Sequence, residues 1–223
     1  MNSPTRSKCI KLYTFGTPNG QKVSTFMHAA SIDYELTMVD IIKGEQFSED
    51  YVRLNPNSKI PVIVDPQGPE GKEHVVMESG AILYYLAKKY NKFFPSDPVA
   101  ASEVMQWLFF QVGGIGPMFG QFGHFYKYAA DQCDHPYPKE RYAKEAVRLL
   151  KVLDSRLSTR DFLVDCGISI ADFACVPWVI CLDVFYEVKD YLKLEQFTHV
   201  NKWVERFLTV PGVLAGMDVG KDG

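Results

Sequence analysis

The chain has 223 residues, 47% of them hydrophobic, and a formal net charge of −3. That length exceeds the roughly 100–200 residues of a usual single domain, so one large or two small domains are expected. The apolar content is too high for a disordered chain, and with lysines and arginines scattered rather than clustered nothing suggests a phosphate-backbone partner. No run of about 18 apolar residues suggests a membrane span.

The N-terminus, Met1-Asn2-Ser3-Pro4-Thr5-Arg6, is polar and lacks the apolar core of a signal peptide, which makes the cytosol the expected compartment. Ile10 to Thr14 reads as a strand. Val23, Phe26, Met27 and Ala30 then recur at i, i+3, i+4 and i+7, the spacing of a helix. Tyr34 to Val39 is a second strand and Ser48 to Leu54 a short helix. Pro61 to Asp65 and Val75 to Met77 form a hairpin whose hydrophilic loop runs from Pro66 to His74. Ile82, Leu83, Leu86, Ala87 and Tyr90 share one face of a helix that starts at Ser79. The order β-α-β-α-β-β-α predicts a mixed sheet covered by helices, as in thioredoxin-like domains.

Phe94-Pro95-Ser96-Asp97-Pro98 is the expected linker, because two prolines within four residues stop a helix and redirect the chain. Beyond it the strand signals fade. Val104, Leu108 and Val112 predict one helix. Ala143, Val147, Leu150, Leu153 and Leu157 predict another, and Val200, Trp203, Val204, Phe207 and Leu208 a third. The predicted organisation is therefore a thioredoxin-like domain over residues 1–93, a linker over 94–100 and an all-helical domain over 101–223.

Three segments carry the chemistry. Thr17-Pro18-Asn19-Gly20 joins the first strand to the first helix. Threonine caps orphan amides and proline suits the first helical position, so the segment is a helix start; the same donors favour an anion such as a thiolate. Ser58-Lys59-Ile60-Pro61-Val62 opens a strand with proline. A cis bond at Pro61 would turn the backbone of Ile60 outward for an extended peptide to pair with. In Glu78-Ser79-Gly80 the serine reads as an ordinary N-cap. A helix start with a serine also suits a ligand carboxylate, and Glu78 suits an ammonium group. In this order, the three define a site for a thiol peptide with a free α-amino-acid end.

Five cysteines occur, at 9, 133, 166, 175 and 181, with no CxxC pair, so neither a disulfide framework nor a zinc site is expected. Cys175 and Cys181 read as buried and inert. The five histidines lack metal-ligand spacing, and no metal is expected.

These residues, with Gly44-Glu45-Gln46-Phe47, Asn55-Pro56-Asn57, Gln106 through Gly114, Gly116-Pro117-Met118, Gly120-Gln121, His124-Phe125, Glu140-Arg141-Tyr142 and Ser169-Ile170-Ala171-Asp172, closely resemble glutathione transferases. More narrowly they are similar to the nu class, the disulfide-bond oxidoreductase branch. The resemblance implies a cis bond at Pro61, a homodimer, and glutathione as bound co-substrate. It implies that Glu78 and Ser79 hold the γ-glutamyl head, that Ile60 pairs with the cysteinyl backbone, and that Gln46 and Lys59 reach the glycyl end. Thr17 and Asn19 would lie beside the sulfur, and Arg141 would meet a second glutathione. Disulfide reduction with possible peroxidase activity is the implied chemistry. Conventional conjugation to electrophiles, or a regulatory role without major turnover, are the alternatives. Small disulfides, peroxides or electrophiles are the implied second substrates, walled by Trp107, Phe110, Gln111, Met118, Phe122, His124 and Phe125. Gly113 to Pro117 should bend or break the helix there. Ser169 and Asp172 form a capping box resembling the one in the family's helical domain. Asp131 to His135 departs from the family pattern.

Overall fold

The computed structural model describes residues 9–221. The polar N-terminal hexapeptide lies outside them. By packing, the chain divides into two units, one ending at Lys92 but taking up the chain again from Pro211, the other spanning Phe93–Val210.

The first unit holds β1 (Ile10–Thr14), α1 (Pro18–Ala29), β2 (Tyr34–Met38), α2 (Glu49–Leu54), β3 (Val62–Asp65), β4 (His74–Met77) and α3 (Ser79–Tyr90). The strands lie in the order β2-β1-β3-β4. β1 runs parallel to β2, and β3 is antiparallel to both β1 and β4. This is the thioredoxin-like sheet expected from the sequence.

Strand periodicity sorts the two faces. Leu12 pairs with Ile63, and both are buried on the side where Val23, Phe26 and Met27 of α1 meet Ile82 and Leu83 of α3. Tyr13 pairs with Val62 on the opposite side, where Tyr51 and Leu54 of α2 cover them together with Val39 and Ile60. The Pro66-to-Glu73 loop joins β3 to β4 as a hairpin, with a 3₁₀ turn at Pro69–Gly71.

The second unit contains α4 (Pro98–Phe110), α5 (Gly116–Gly123), α6 (Pro136–Leu157), α7 (Ile170–Ile180), α8 (Lys189–Leu192) and α9 (Thr198–Leu208). It is all helical, as expected. The capping box is present at the start of α7. The Asp172 carboxylate also accepts from Leu163 N–H at 3.0 Å and Trp203 Nε1–H at 2.9 Å, so it ties a loop and α9 to α7.

Four details differ from the sequence reading. The last helix, α10 (Val213–Asp218), belongs with α1 rather than with the helical domain of 101–223. Gly216 makes this possible: a Cβ there would stand 2.4 Å from the Thr25 Cα, so only glycine lets the backbones touch. Ser24 Oγ and Gln21 Nε2 donate to the carbonyls of Gly216 and Met217 at 2.7 and 2.9 Å. Second, residues 98–100 of the expected linker are already helix, because the Asp97 carboxylate caps α4 by accepting from Ala100 N–H at 2.8 Å.

Third, Gly113 to Pro117 does not break the helix. Pro117 has no N–H for the Gly113 carbonyl, and the chain absorbs the loss in a π-helical turn over Gln111–Ile115, in which Gly116 N–H reaches the Gln111 carbonyl. Fourth, Val104 and Leu108 are buried while Val112, expected on the same line, is exposed; at 3.6 residues per turn an i+8 position has drifted about 80° around the helix, and Gln111 at i+7 takes the buried place instead.

Candidate functional site

Within the first unit the structure places Thr17 at the N-cap of α1, with Pro18 as the first helical residue. Thr17 Oγ1 accepts from Gly20 N–H at 3.3 Å. Gly20 is required there, since a Cβ would meet the Phe15 carbonyl oxygen at 2.2 Å and Thr14 Oγ1 at 2.4 Å. The helix start is thereby pressed onto the end of β1. Asn19 lies half-buried in the first turn.

The Ile60–Pro61 bond is cis. The loop before it is held by side chains that the sequence reading did not single out. Tyr51 Oη and Asn55 Nδ2 both donate to the Lys59 carbonyl, at 2.8 and 2.7 Å. Burial pushes the Tyr51 phenol above its ordinary pKa, which keeps it a donor. Asn55 Oδ1 in turn accepts from Asn57 N–H at 2.9 Å. Lys59 itself is exposed, and Ile60 is half-buried against the Tyr51 cluster. Gln46 donates through Nε2 to the Ile41 carbonyl at 3.3 Å, and its Oε1 is buried with no donor on it.

At α3 the reading of Ser79 as an N-cap is corrected. Ser79 is the first helical residue, and the cap position falls on Glu78, whose φ of 69° is left-handed. A non-glycine residue held there costs of the order of 1–3 kcal/mol, a cost found where surrounding structure over-determines the backbone. The Ser79 hydroxyl does not cap. It accepts from the Lys22 ammonium at 3.2 Å, and Lys22 is only 2% exposed. Asn57 Nδ2 donates to Glu78 Oε1 at 3.4 Å, which links the proline loop to the start of α3. Thus Glu78, Ser79, Asn57 and the clamped Lys59–Pro61 turn form one connected group. Lys22 had a legible signal: it sits four residues before Phe26, on the helix face that the apolar spacing marks as core.

In the second unit, Trp107 and Phe110 meet edge to face at 5.4 Å, and the Arg156 guanidinium lies 5.4 Å from the Trp107 ring. His124 and Phe125 stand on a π-helical turn, His124–Tyr128. Phe125 stacks on Tyr142 of α6 at 5.7 Å with rings 7° apart, next to the exposed Arg141. Met118 is half-buried in α5. Two expected wall residues are not at a surface. Gln111 is wholly buried because Gly116, which has no side chain, leaves room for its amide. Phe122 is wholly buried, packed among Tyr126 and Tyr191. Among the described residues, no group of three histidine, cysteine or acidic side chains could hold a metal ion, and no helix is long and apolar enough to cross a membrane.

Comparison with known proteins accords with this geometry. Residues 9–88 match the N-terminal domain of glutathione S-transferases and residues 131–211 match the C-terminal domain. Disulfide-bond oxidoreductase YfcG of Escherichia coli is 42% identical over 91% of either chain. A glutathione transferase from Pseudomonas putida, solved with one glutathione disulfide per subunit, is 40% identical, with a TM-score of 0.93 over 96% of this chain and 93% of its own. One from Burkholderia graminis, solved with two glutathione molecules per subunit, is 41% identical, with a TM-score of 0.95 over 98% of this chain and 91% of its own. The chain belongs to the glutathione S-transferase family.

Proposed function

We propose that this protein is a glutathione-dependent disulfide-bond oxidoreductase whose nucleophile is the sulfur of bound glutathione. The observation that carries the reading is the start of α3. Glu78 offers a carboxylate to an ammonium group, and Ser79, with its oxygen already accepting from Lys22, keeps its own hydrogen for a carboxylate. Together they suit the two charges of a γ-glutamyl head. The Ile60 backbone, in a turn fixed by Tyr51 and Asn55, suits the cysteinyl segment as an added strand. The unfilled acceptor of Gln46 suits the glycyl N–H, and the exposed Lys59 ammonium suits the glycyl carboxylate.

A sulfur placed beside Thr17 would meet a hydroxyl whose oxygen is occupied by Gly20 N–H and whose hydrogen is left to donate. Asn19, in the same turn, adds a carboxamide, and the helix start adds partial positive charge. A free thiol near pKa 8.5 is only a few per cent ionised at pH 7, so lowering it by about one unit gives roughly tenfold more thiolate. That thiolate attacks one sulfur of a substrate disulfide. The S–S bond breaks, the other half leaves as a thiolate that takes a proton from water, and a mixed disulfide with glutathione forms. A second glutathione thiolate then attacks the glutathione sulfur of that mixed disulfide, giving glutathione disulfide and the second substrate thiol. Two glutathiones are oxidised and one disulfide is reduced.

Two thiols are therefore needed, which accords with the relatives solved with glutathione disulfide or with two glutathiones. On the helical unit, Arg141 is proposed to meet the second glutathione, and Trp107, Phe110, Met118, His124 and Phe125 to face the second substrate. A homodimer and peroxide turnover complete the proposal.

The test compares turnover of a small hydroxyethyl disulfide with that of an aryl halide, each with glutathione in excess. Faster disulfide turnover supports the reading. Conjugation of the aryl halide with negligible disulfide turnover replaces it with a conventional transferase.

A further inference from the structure

Lysine is almost never fully buried unless paired. Lys22, nearly inaccessible to solvent on α1, places its Nζ on the oxygen of Ser79 rather than at the surface. We propose that Lys22 is a positioning residue for substrate binding: it fixes the Ser79 hydroxyl as a hydrogen-bond donor and places a buried positive charge behind the carboxylate of the γ-glutamyl group. The proposal rests on the glutathione reading above and deepens it.

The chemistry follows from the inventory of donors. An ammonium has three hydrogens and no acceptor, so Ser79 cannot donate to Lys22. With Nζ on one side of the oxygen, the hydroxyl hydrogen is directed elsewhere. The serine is also at the first helical position, where backbone amides of the first turn have no partner within the helix; the first helical bond runs from Ile82 N–H to the Glu78 carbonyl. Hydroxyl hydrogen, orphan amides and helix dipole all favour an anion at the same place. A cation one hydrogen bond behind them acts through a region largely closed to water, where its field is weakly screened.

Calorimetry with reduced glutathione and with its analogue carrying an amide in place of the γ-glutamyl α-carboxylate provides the test. The proteins are the natural chain, Lys22→Met, Lys22→Arg, Ser79→Ala and the double variant. Lys22→Met should weaken glutathione binding about tenfold to a hundredfold, the range for a hydrogen bond to a charged group. Lys22→Arg should restore most of that. The double variant should bind no more than about threefold worse than the weaker single variant, because one change acts through the other. The amide analogue should bind equally to the natural chain and to Lys22→Met.

Unchanged glutathione affinity in Lys22→Met, multiplying losses in the double variant, or an equal loss for the amide analogue would each overturn the proposal. Should Lys22→Met fail to fold, Lys22→Gln carries the same measurements. If the natural chain itself binds no glutathione, the glutathione reading falls and takes this proposal with it. An unaffected variant beside a binding natural chain overturns the role of Lys22 alone.

Discussion

Replacing Asp172 with alanine should destabilise the helical unit by about 4 kcal/mol, and the estimate can be built from its contacts. The carboxylate is completely buried and accepts from Leu163 N–H at 3.0 Å, Ser169 N–H at 2.8 Å, Ser169 Oγ–H at 3.0 Å and Trp203 Nε1–H at 2.9 Å. The serine hydroxyl can rotate to a new acceptor, but the three N–H donors cannot. Each buried donor left unsatisfied costs about 1–3 kcal/mol, which brackets the loss between roughly 3 and 9. The lower half of that range is the better expectation. Burial pushes the Asp172 carboxyl above its ordinary pKa against the pull of these donors, so burying the carboxylate is itself costly. Its removal recovers that cost. Since whole domains are stable by only about 5–15 kcal/mol, the variant should be near the edge of folding. Urea unfolding followed by circular dichroism and tryptophan fluorescence measures the loss. Ser169→Ala, by comparison, should cost about 0.5–2 kcal/mol as an N-cap change. Trp203→Phe removes one donor and keeps most of the ring, so it should cost far less than Asp172→Ala. An Asp172→Ala loss below about 1 kcal/mol, or a Trp203→Phe loss equal to it, would refute the reasoning.

Gly123→Ala should cost about 1–3 kcal/mol by overpacking, because the new Cβ would stand 2.1 Å from the buried Tyr186 ring; pairing it with Tyr186→Leu should recover part of the loss in the same unfolding assay. Asp65 is lowered below its ordinary pKa: burial would raise it, but the Lys89 ammonium, the Tyr85 hydroxyl and the Gln67 amide outweigh that. A carboxyl with a depressed folded pKa stabilises fully above its unfolded value near 3.8 and loses that contribution as pH falls through the folded one. Lys89→Met should therefore move the acid-unfolding midpoint to higher pH. Alkylation at pH 8 should modify Cys133 well before Cys175 and Cys181, both of which are buried. The Cys181 thiol is pushed up to about 12 by burial, so peptide mapping that finds it labelled early would contradict the packing.

The sheet was legible because its strands are short apolar runs whose register sorts into two faces. Leu12 and Ile63 land on one side, Tyr13 and Val62 on the other, as period two requires. The helical unit was legible through the same kind of periodicity, at α6 and α9 above all. What a strict i, i+4 reading could not show is how far such a line drifts around the helix. Val112 stands four residues beyond Leu108, but at 3.6 residues per turn an i+8 position lies about 80° from i, so Gln111 at i+7 is buried and Val112 is exposed. Nor could pattern assign α10, since its attachment depends on Gly216 facing Thr25, residues almost two hundred positions apart.

The site was legible to the extent that its residues sit at element boundaries with their own local signatures. Thr17-Pro18 and Glu78-Ser79 mark helix starts, and Ile60-Pro61 opens a strand. The sequence places the helix start at Ser79 but marks its hydroxyl as the cap, and the difference lies in that hydroxyl's partner. A serine before an apolar run is an N-cap in most chains, because its oxygen otherwise has no better partner than the helix amides. Here a lysine from another helix donates to that oxygen, and the cap position falls on Glu78, where φ is positive. Tyr51 and Asn55 escaped notice for a similar reason. Each reads locally as an ordinary polar or aromatic residue of a short helix, and both converge on the Lys59 carbonyl only once α2 folds over β3. Side chains proposed to touch substrate thus announce themselves through the termini that carry them. Those that aim them are recognised by partner alone, and a buried lysine in register with a core face is the one such signal a linear reading can catch.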